Sequence, residues 1–214
     1  ISSVIAPELQ TEVFSCLPPQ ARVALQFSSL PDPYPPLDEY DLLLWWGDPL
    51  MYDGLQSEDV TSYEIKQEDI LISSSQDLNP KRLSSGEIQS IFSGTIQNWA
   101  DLDEGGLSGQ IQVYTLPPAT PLREVFDRHV LQGQGFTTLS RISPSPEELV
   151  RLVSTDTRSI GFTLSGYLDG YKGDLEIVRY GQKQTFPVLA ILPDQNPQLL
   201  PLIQCLQREV KAEN

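Results

Sequence analysis

The stretch that decides the fold is Leu83–Leu102, which reads LSSGEIQSIFSGTIQNWADL. Ser84 and Glu87 have the spacing of a capping box, in which each side chain satisfies a backbone N–H at the start of a helix. Gly94 stands where such a helix would end in a left-handed turn. Between cap and turn, three apolar residues recur at helical spacing: Ile88, Ile91 and Phe92. The stretch therefore predicts a capped helix, a glycine turn and a short second element that carries Trp99.

Size and charge limit the classes of function. A chain of 214 residues can bury a core as one large domain or as two small lobes. The longest apolar run, Leu42–Trp46, is too short to cross a bilayer. A formal net charge of −15 lacks the basic surface that nucleic acids and anionic membranes require. We therefore expect no nucleic-acid partner and no membrane insertion, while a local group of N–H donors remains able to hold a small anion.

Few residues are suited to metal binding or nucleophilic catalysis. The chain has two cysteines and one histidine, and it has no CxxC, GxSxG, HExxH, P-loop or Rossmann motif. We expect no metal, no cofactor and no enzyme, with His129 lying on a helix as a surface or boundary residue. Cys16 and Cys205 are predicted to lie in the same lobe, on the first and last helices. A disulfide and two buried thiols are both compatible with that placement.

Strands alternate with helices along the chain, which predicts an α/β fold. A Pro-rich surface loop is expected over Pro31–Glu39. Helices are predicted over residues 4–17 and 197–210 and from caps at Ser84, Thr120 and Ser145. Strands are predicted over residues 23–27, 41–46, 70–73, 111–116, 160–164 and 186–192.

The segment SIFSGTIQNWADL, Ser90–Leu102, resembles the "IF-G-I-NW-L" signature of phosphate-type solute-binding proteins, the extracytoplasmic receptors of ABC importers. SSVIAPELQ, YDLLLWWGDPL and RSIGFTLSGYL are similar to further elements of that family. The resemblance implies the type II periplasmic-binding-protein fold, in which the chain crosses twice between two α/β lobes. Lobe one would comprise residues 1–75 plus 165–214, and lobe two would comprise 76–164.

The same resemblance implies a small-molecule ligand in an interlobe cleft, an ABC permease as partner and an extracytoplasmic location. The first ten residues, ISSVIAPELQ, show no secretory signal. The family's first strand should precede its Ser/Thr loop, yet only Ile1 stands before Ser2 and Ser3. That edge of lobe one is therefore expected to be trimmed, lost or built differently.

The family's anion-binding string, "R-x-x-G-S-G-T-R-x-x-F", aligns with LPPATPLREVF over Leu116–Phe126. Leu116 replaces the anion-binding Arg, and Pro121 replaces a Gly together with its backbone N–H. Thr120 keeps a hydroxyl, and Arg123 matches. An N-cap followed by Pro at the first helical position explains Thr120 without any ligand, and a solvated or interlobe position explains Arg123 equally simply.

The other ligand candidates come from the first lobe. Ser2 and Ser3 stand where the family uses hydroxyl donors, although serines are also common in loops. Asp48 matches a family Asp that shares a proton with phosphate, and its alternative role is a turn before Pro49. Trp45 and Trp46 face opposite sides of a strand, so that one is expected in the core and the other could line the cleft, with core packing as the alternative for both.

Three functions follow from these observations. The first is a solute receptor whose altered site binds free phosphate weakly or not at all. The second is a binding-protein-like module that has lost its ligand and serves as a sensor or an interaction domain. The third, an enzyme, has no base–nucleophile pair to support it.

Overall fold

The computed structural model describes residues 5–20, 22, 24, 37–56, 60–76, 82–102, 108–171, 175–181, 183–193 and 196–212. Within these ranges the helices are α1 (Ala6–Cys16), α2 (Ser85–Ser93), α3 (Pro121–His129), α4 (Pro146–Thr155) and α5 (Leu200–Ala212). The strands are β1 (Leu43–Trp46), β2 (Thr61–Ser75), β3 (Arg82–Leu83), β4 (Gln112–Thr115), β5 (Arg141–Ile142), β6 (Ser159–Leu164), β7 (Leu175–Tyr180) and β8 (Gln184–Leu192).

The sheet runs in the order β1-β8-β2-β6-β4-β5, with β7 paired to both β2 and β3. β8 pairs antiparallel with β1, with Leu43 opposite Ile191. β2 pairs antiparallel with β6, with Ile72 opposite Phe162. β4 is parallel to both β5 and β6. The mixed α/β class predicted from the alternating pattern is therefore confirmed.

The chain forms two compact units, residues 1–68 with 186–214 and residues 69–185, so that it passes twice from one unit to the other. Both passages lie within strands, between Glu68 and Asp69 in β2 and between Thr185 and Phe186 in β8. Residues 165–185 thus belong to the second unit. The lobe boundaries inferred from the resemblance, 1–75 plus 165–214 and 76–164, stay a prediction.

The first unit contains a buried apolar cluster on one face of β1 and β8. Its fully buried members are Leu43, Trp45, Tyr52, Leu189 and Ile191. In the same unit α1 contacts α5, and a disulfide joins Cys16 to Cys205 with a Cα–Cα separation of 5.6 Å. The sequence was compatible both with a disulfide and with two free thiols, and the structure shows the disulfide. The predicted strand 23–27 and most of the predicted Pro-rich loop lie outside the described residues.

The second unit has an aromatic core. The rings of Phe126 and Phe162 stack with centroids 4.0 Å apart, and Phe92 meets both edge-on. Phe126 comes from α3, Phe162 from β6 and Phe92 from α2, so this cluster fixes two helices against the sheet. Such aromatic contacts add about 0.5–1.5 kcal/mol per pair beyond the area they bury.

The stretch Leu83–Leu102 folds as its pattern predicts. Ser84 accepts a hydrogen bond from the N–H of Glu87, and the Glu87 carboxylate accepts one from the N–H of Ser84, which completes the capping box of α2. Gly94 ends the helix with φ +84°. Trp99 lies in a short 3-10 helix, is fully buried, and donates from Nε1 to the carbonyl of Arg158 at 3.0 Å.

Candidate functional site

The carboxyl ends of three parallel strands meet in the second unit. The chain runs from β4 through α3 to β5 on one side of β4, then through α4 to β6 on its other side. Phe162 of β6 stacks on α3, while Leu149 and Val153 of α4 lie against the adjacent residue, Gly161. Since neighbouring strand residues face opposite sides, the two helices cover opposite faces of the sheet. This arrangement is a topological switch point, where α/β proteins bind ligands beyond the strand ends.

Thr120 stands at this switch point as the residue that precedes α3. Its hydroxyl donates to the carbonyl of Pro117 at 2.9 Å and makes no hydrogen bond to the helix N-terminus. Pro121 is the first residue of α3 and has no N–H to offer. Leu116, which stands in place of the motif's Arg, is buried with 1% of its surface exposed. The site therefore lacks the Arg and one N–H that the family string would supply, and its Thr120 hydroxyl is already engaged.

Ala119 precedes Thr120 with φ +64°, a left-handed conformation that glycine adopts far more easily. In the alignment it occupies the position of the motif's first Gly. The left-handed conformation that a glycine would favour is thus present here although the glycine is not. A side chain in this conformation costs on the order of 1 kcal/mol or more.

Arg123 lies one turn into α3, and its guanidinium reaches back to the end of β4. Nη1 donates to Thr115 Oγ1 at 2.5 Å and to the carbonyl oxygen of Leu116 at 2.9 Å. The guanidinium carbon also lies 3.5 Å from the centroid of the Phe136 ring. Burial lowers the pKa of Arg123 from its usual range, and the nearby carboxylate of Asp127 opposes that shift. Arg123 is thus a half-buried cation at the switch point.

The remaining candidates with described positions lie in the first unit. Asp48 is buried with 9% exposed and accepts a hydrogen bond from the N–H of Leu50 at 3.0 Å, so that it caps the 3-10 helix Pro49–Met51. This is the turn role that the sequence offered as its alternative. Ser2 and Ser3 lie outside the described residues.

Trp45 and Trp46 are both buried, with 2% and 0% of their surfaces exposed. The ring of Trp45 packs against Tyr52 at 5.4 Å, and that of Trp46 meets Phe186 edge-on at 5.9 Å, so the two indoles do face opposite sides. Nε1 of Trp46 is buried and finds no acceptor among the described residues. Their role in ligand binding stays a prediction.

The structure thus separates the candidates into two groups. Thr120 and Arg123 lie together at the start of α3 in the second unit. Trp45, Trp46 and Asp48 follow one another along β1 and the turn after it in the first unit. The sequence did not single out Thr115 or Phe136, the two side chains that hold the Arg123 guanidinium. The sequence pattern identified Thr115 only as a strand residue, and Phe136 lies in a segment that has no periodic pattern.

Two compact α/β units, between which the chain passes twice, are the architecture of periplasmic binding proteins. The chain belongs to the PBP superfamily domain family, whose sequence model matches residues 55–186, more than half of its length. This match confirms the resemblance and the fold class predicted from SIFSGTIQNWADL. Among the described residues, no helix is both long and apolar enough to cross a membrane.

Solved structures of the same fold include proteins of two kinds. A candidate phosphate ABC transporter substrate-binding protein from Clostridium perfringens, crystallised with bound phosphate, is 17% identical with a TM-score of 0.78, covering 99% of this chain and 94% of that one. An ABC-type phosphate transport receptor from Vibrio cholerae is 17% identical with a TM-score of 0.63, covering 83% and 78%.

The second kind is a regulatory domain. That of MetR, a LysR family regulator from N. meningitidis, is 12% identical with a TM-score of 0.67, covering 97% of this chain and 90% of that one. A comparison with curated proteins finds no match. At these identities the likenesses establish the fold alone.

Proposed function

We propose that the chain is an extracytoplasmic, non-enzymatic solute-binding protein of a phosphate-type ABC transport system. It would bind a small anion or organic solute and present the liganded form to a permease. The observation that carries this proposal is the match to the Clostridium perfringens protein over 99% of this chain and 94% of that one. The TM-score of 0.78 for that protein, against 0.67 for the regulatory domain of MetR, favours the receptor.

Free phosphate is not the solute that the described donors favour. Leu116 brings no charge, Pro121 brings no N–H, and the Thr120 hydroxyl already donates to a backbone carbonyl. Each charge-assisted hydrogen bond is worth about 1.5–3 kcal/mol, so that losing two or three removes most of the affinity of an anion site. We therefore infer a solute of lower charge density than phosphate.

The disulfide between Cys16 and Cys205 supports an extracytoplasmic location. Disulfides form and persist in oxidising compartments and are rare in reducing ones. The bond joins α1 to α5, elements at opposite ends of the described chain, within one unit. An exported receptor would therefore carry this crosslink intact.

The second candidate function is a binding-protein-like module that has lost its ligand and acts as a sensor or an interaction domain. The observation that favours it is that the Thr120 hydroxyl and Nη1 of Arg123 are satisfied within the protein. The fold is also that of the regulatory domain of MetR. In this case no small solute would stabilise the protein.

A thermal-shift screen with phosphate, other oxyanions and small organic acids separates the two functions. A receptor gains about 2.7 kcal/mol at a solute concentration one hundred times Kd, which raises Tm by several degrees. We expect an organic anion to give such a shift, with sodium chloride at the same ionic strength as the control. If no solute raises Tm and the protein is a stable dimer, the ligand-free module is the better description.

A further inference from the structure

The Arg123 guanidinium has an edge that the protein leaves unused. Both hydrogen bonds to described residues come from Nη1, and its face is covered by Phe136. Nε and Nη2 donate to no described residue. No carboxylate of a described residue lies within ion-pair distance of the guanidinium, although Asp127 is one turn further along the same helix. The unused edge therefore holds two coplanar donors.

An arrangement of this kind is costly in a protein that contains so many acids. The chain has 29 Asp and Glu residues against 14 Lys and Arg, so that partners for a cation are abundant. Half-burial of a cation that has no carboxylate partner among the described residues has a cost, and here burial lowers the pKa of the guanidinium. Unpaired and partly desolvated charges of this kind are concentrated at functional sites. The cation is better explained by a partner from solution than by a structural role alone.

The position of this guanidinium compensates for the altered motif. Nη1 lies 2.9 Å from the carbonyl oxygen of Leu116, the residue that stands where the family string has its anion-binding Arg. The same end of α3 offers two further donors, because the N–H groups of Leu122 and Arg123 lie in its first turn, before the hydrogen bonds of the helix begin. Glu124 is the first residue whose N–H bonds within the helix, to the carbonyl of Thr120. The positive charge that Leu116 no longer supplies at the end of β4 is thus supplied there by Arg123 of α3.

We propose that Arg123 is the cationic donor of the binding site and that the solute presents a carboxylate to it. The inference rests on the proposed function, since it names the chemical class of that solute. The Nε–Nη2 edge of an Arg matches the two oxygens of a carboxylate in a bidentate pair. One guanidinium balances one negative charge, whereas a phosphate dianion would keep an uncompensated charge in a strongly acidic protein.

The test follows the Nε–H resonance of Arg123 by NMR in the whole chain, with acetate and inorganic phosphate as the two probes. Arg123→Lys assigns the resonance and, in a parallel calorimetric titration, keeps the charge without the bidentate edge. Arg151 serves as the internal control, since its Nε already donates to Glu148 Oε2 at 2.7 Å. We expect acetate to shift the Arg123 resonance saturably while the Arg151 resonance stays unchanged. We also expect phosphate to bind at least about tenfold more weakly, and Arg123→Lys to weaken acetate binding at least about tenfold.

Two results would contradict this inference. An Arg123 resonance that acetate does not shift saturably overturns the inference, as does phosphate binding that equals or exceeds acetate binding. If the thermal-shift screen finds a solute whose affinity is the same in Arg123→Lys, the receptor function stands and only this inference fails. If the screen finds no solute and acetate leaves the Arg123 resonance unshifted, the receptor function and this inference both fail.

Discussion

The phenol of Tyr180 is buried and has a raised pKa. It donates to the carbonyl of Ile70 at 3.2 Å, and burial, with a smaller effect of the Asp69 carboxylate, raises its pKa to about 12. An unfolded tyrosine ionises near about pH 10. The stability that Tyr180 contributes is therefore complete below about pH 10 and is lost as pH rises through about 12, a change on the order of 2–3 kcal/mol.

We predict that Tyr180→Phe removes this alkaline loss. Near neutral pH the variant should lose about 1 kcal/mol, the value of one hydrogen bond. Above about pH 10 the difference in free energy of unfolding between the natural chain and the variant should shrink. Urea unfolding at neutral pH and at about pH 11, with tyrosinate absorbance as a second readout, measures both quantities. An unchanged difference across this range would show that the phenol is not protected.

At the scale of residues, the sequence predicted which residues are candidates better than it predicted which residues they contact. The position of Arg123 in the motif marked it as a candidate, and the dipeptide Asp48-Pro49 marked a turn. The Arg123–Phe136 contact was not predictable, because the two side chains meet only after α3 and the segment beyond it have folded onto the sheet. A motif specifies which residue is present, while tertiary packing determines which way its side chain turns.

At the scale of elements, α2 has one glycine in its first turn, Gly86, and another directly after its last residue, Gly94, and the two have opposite requirements. A Cβ at Gly94, where φ is +84°, would lie 2.5 Å from Thr137 Oγ1, whereas a Cβ at Gly86 would meet nothing within 4 Å. We predict that Gly94→Ala destabilises the protein by about 2–3 kcal/mol. Gly86→Ala should instead stabilise it by about 0.5–1 kcal/mol, since alanine loses less entropy in a helix. Equal effects in urea unfolding would contradict this account of the helix end.

The disulfide joins elements that are far apart along the chain. Cys16 and Cys205 are separated by 189 residues, so that their bond restricts most of the unfolded chain. We predict that Cys16→Ala combined with Cys205→Ala lowers the free energy of unfolding by about 3–5 kcal/mol. Ser15→Ala is the local control, because its hydroxyl is exposed beside Cys16. A double variant within about 0.5 kcal/mol of the natural chain would mean that the crosslink adds no stability.

Elements with strong local signals were predicted, and those without were missed. Caps and apolar spacing located α2, α3 and α4, and buried apolar runs located β1, β6 and β8. β2 was predicted only over residues 70–73, because its first nine residues, TSYEIKQED, alternate few apolar side chains. β7 was missed altogether, since LEIVRY follows an irregular segment and has only one fully buried residue.

At the scale of the molecule, the fold was predictable because one short signature stands in a recognisable order of elements. The α/β class, the capped helix and the two passages between units followed from SIFSGTIQNWADL and its neighbours. The solute did not follow in the same way. Leu116 and Pro121 show which donors are gone, but the replacement of a donor from another element depends on folded geometry, as with Arg123.

We infer that this chain keeps the fold of phosphate receptors while its donors no longer suit phosphate. Isothermal titration calorimetry with inorganic phosphate at neutral pH tests that claim most directly, with Leu116→Arg/Pro121→Gly as the variant that restores the motif. We predict weak or undetectable phosphate binding by the natural chain and tighter binding by the restored variant. Micromolar or tighter binding by the natural chain, on the order of 8 kcal/mol, would contradict the account.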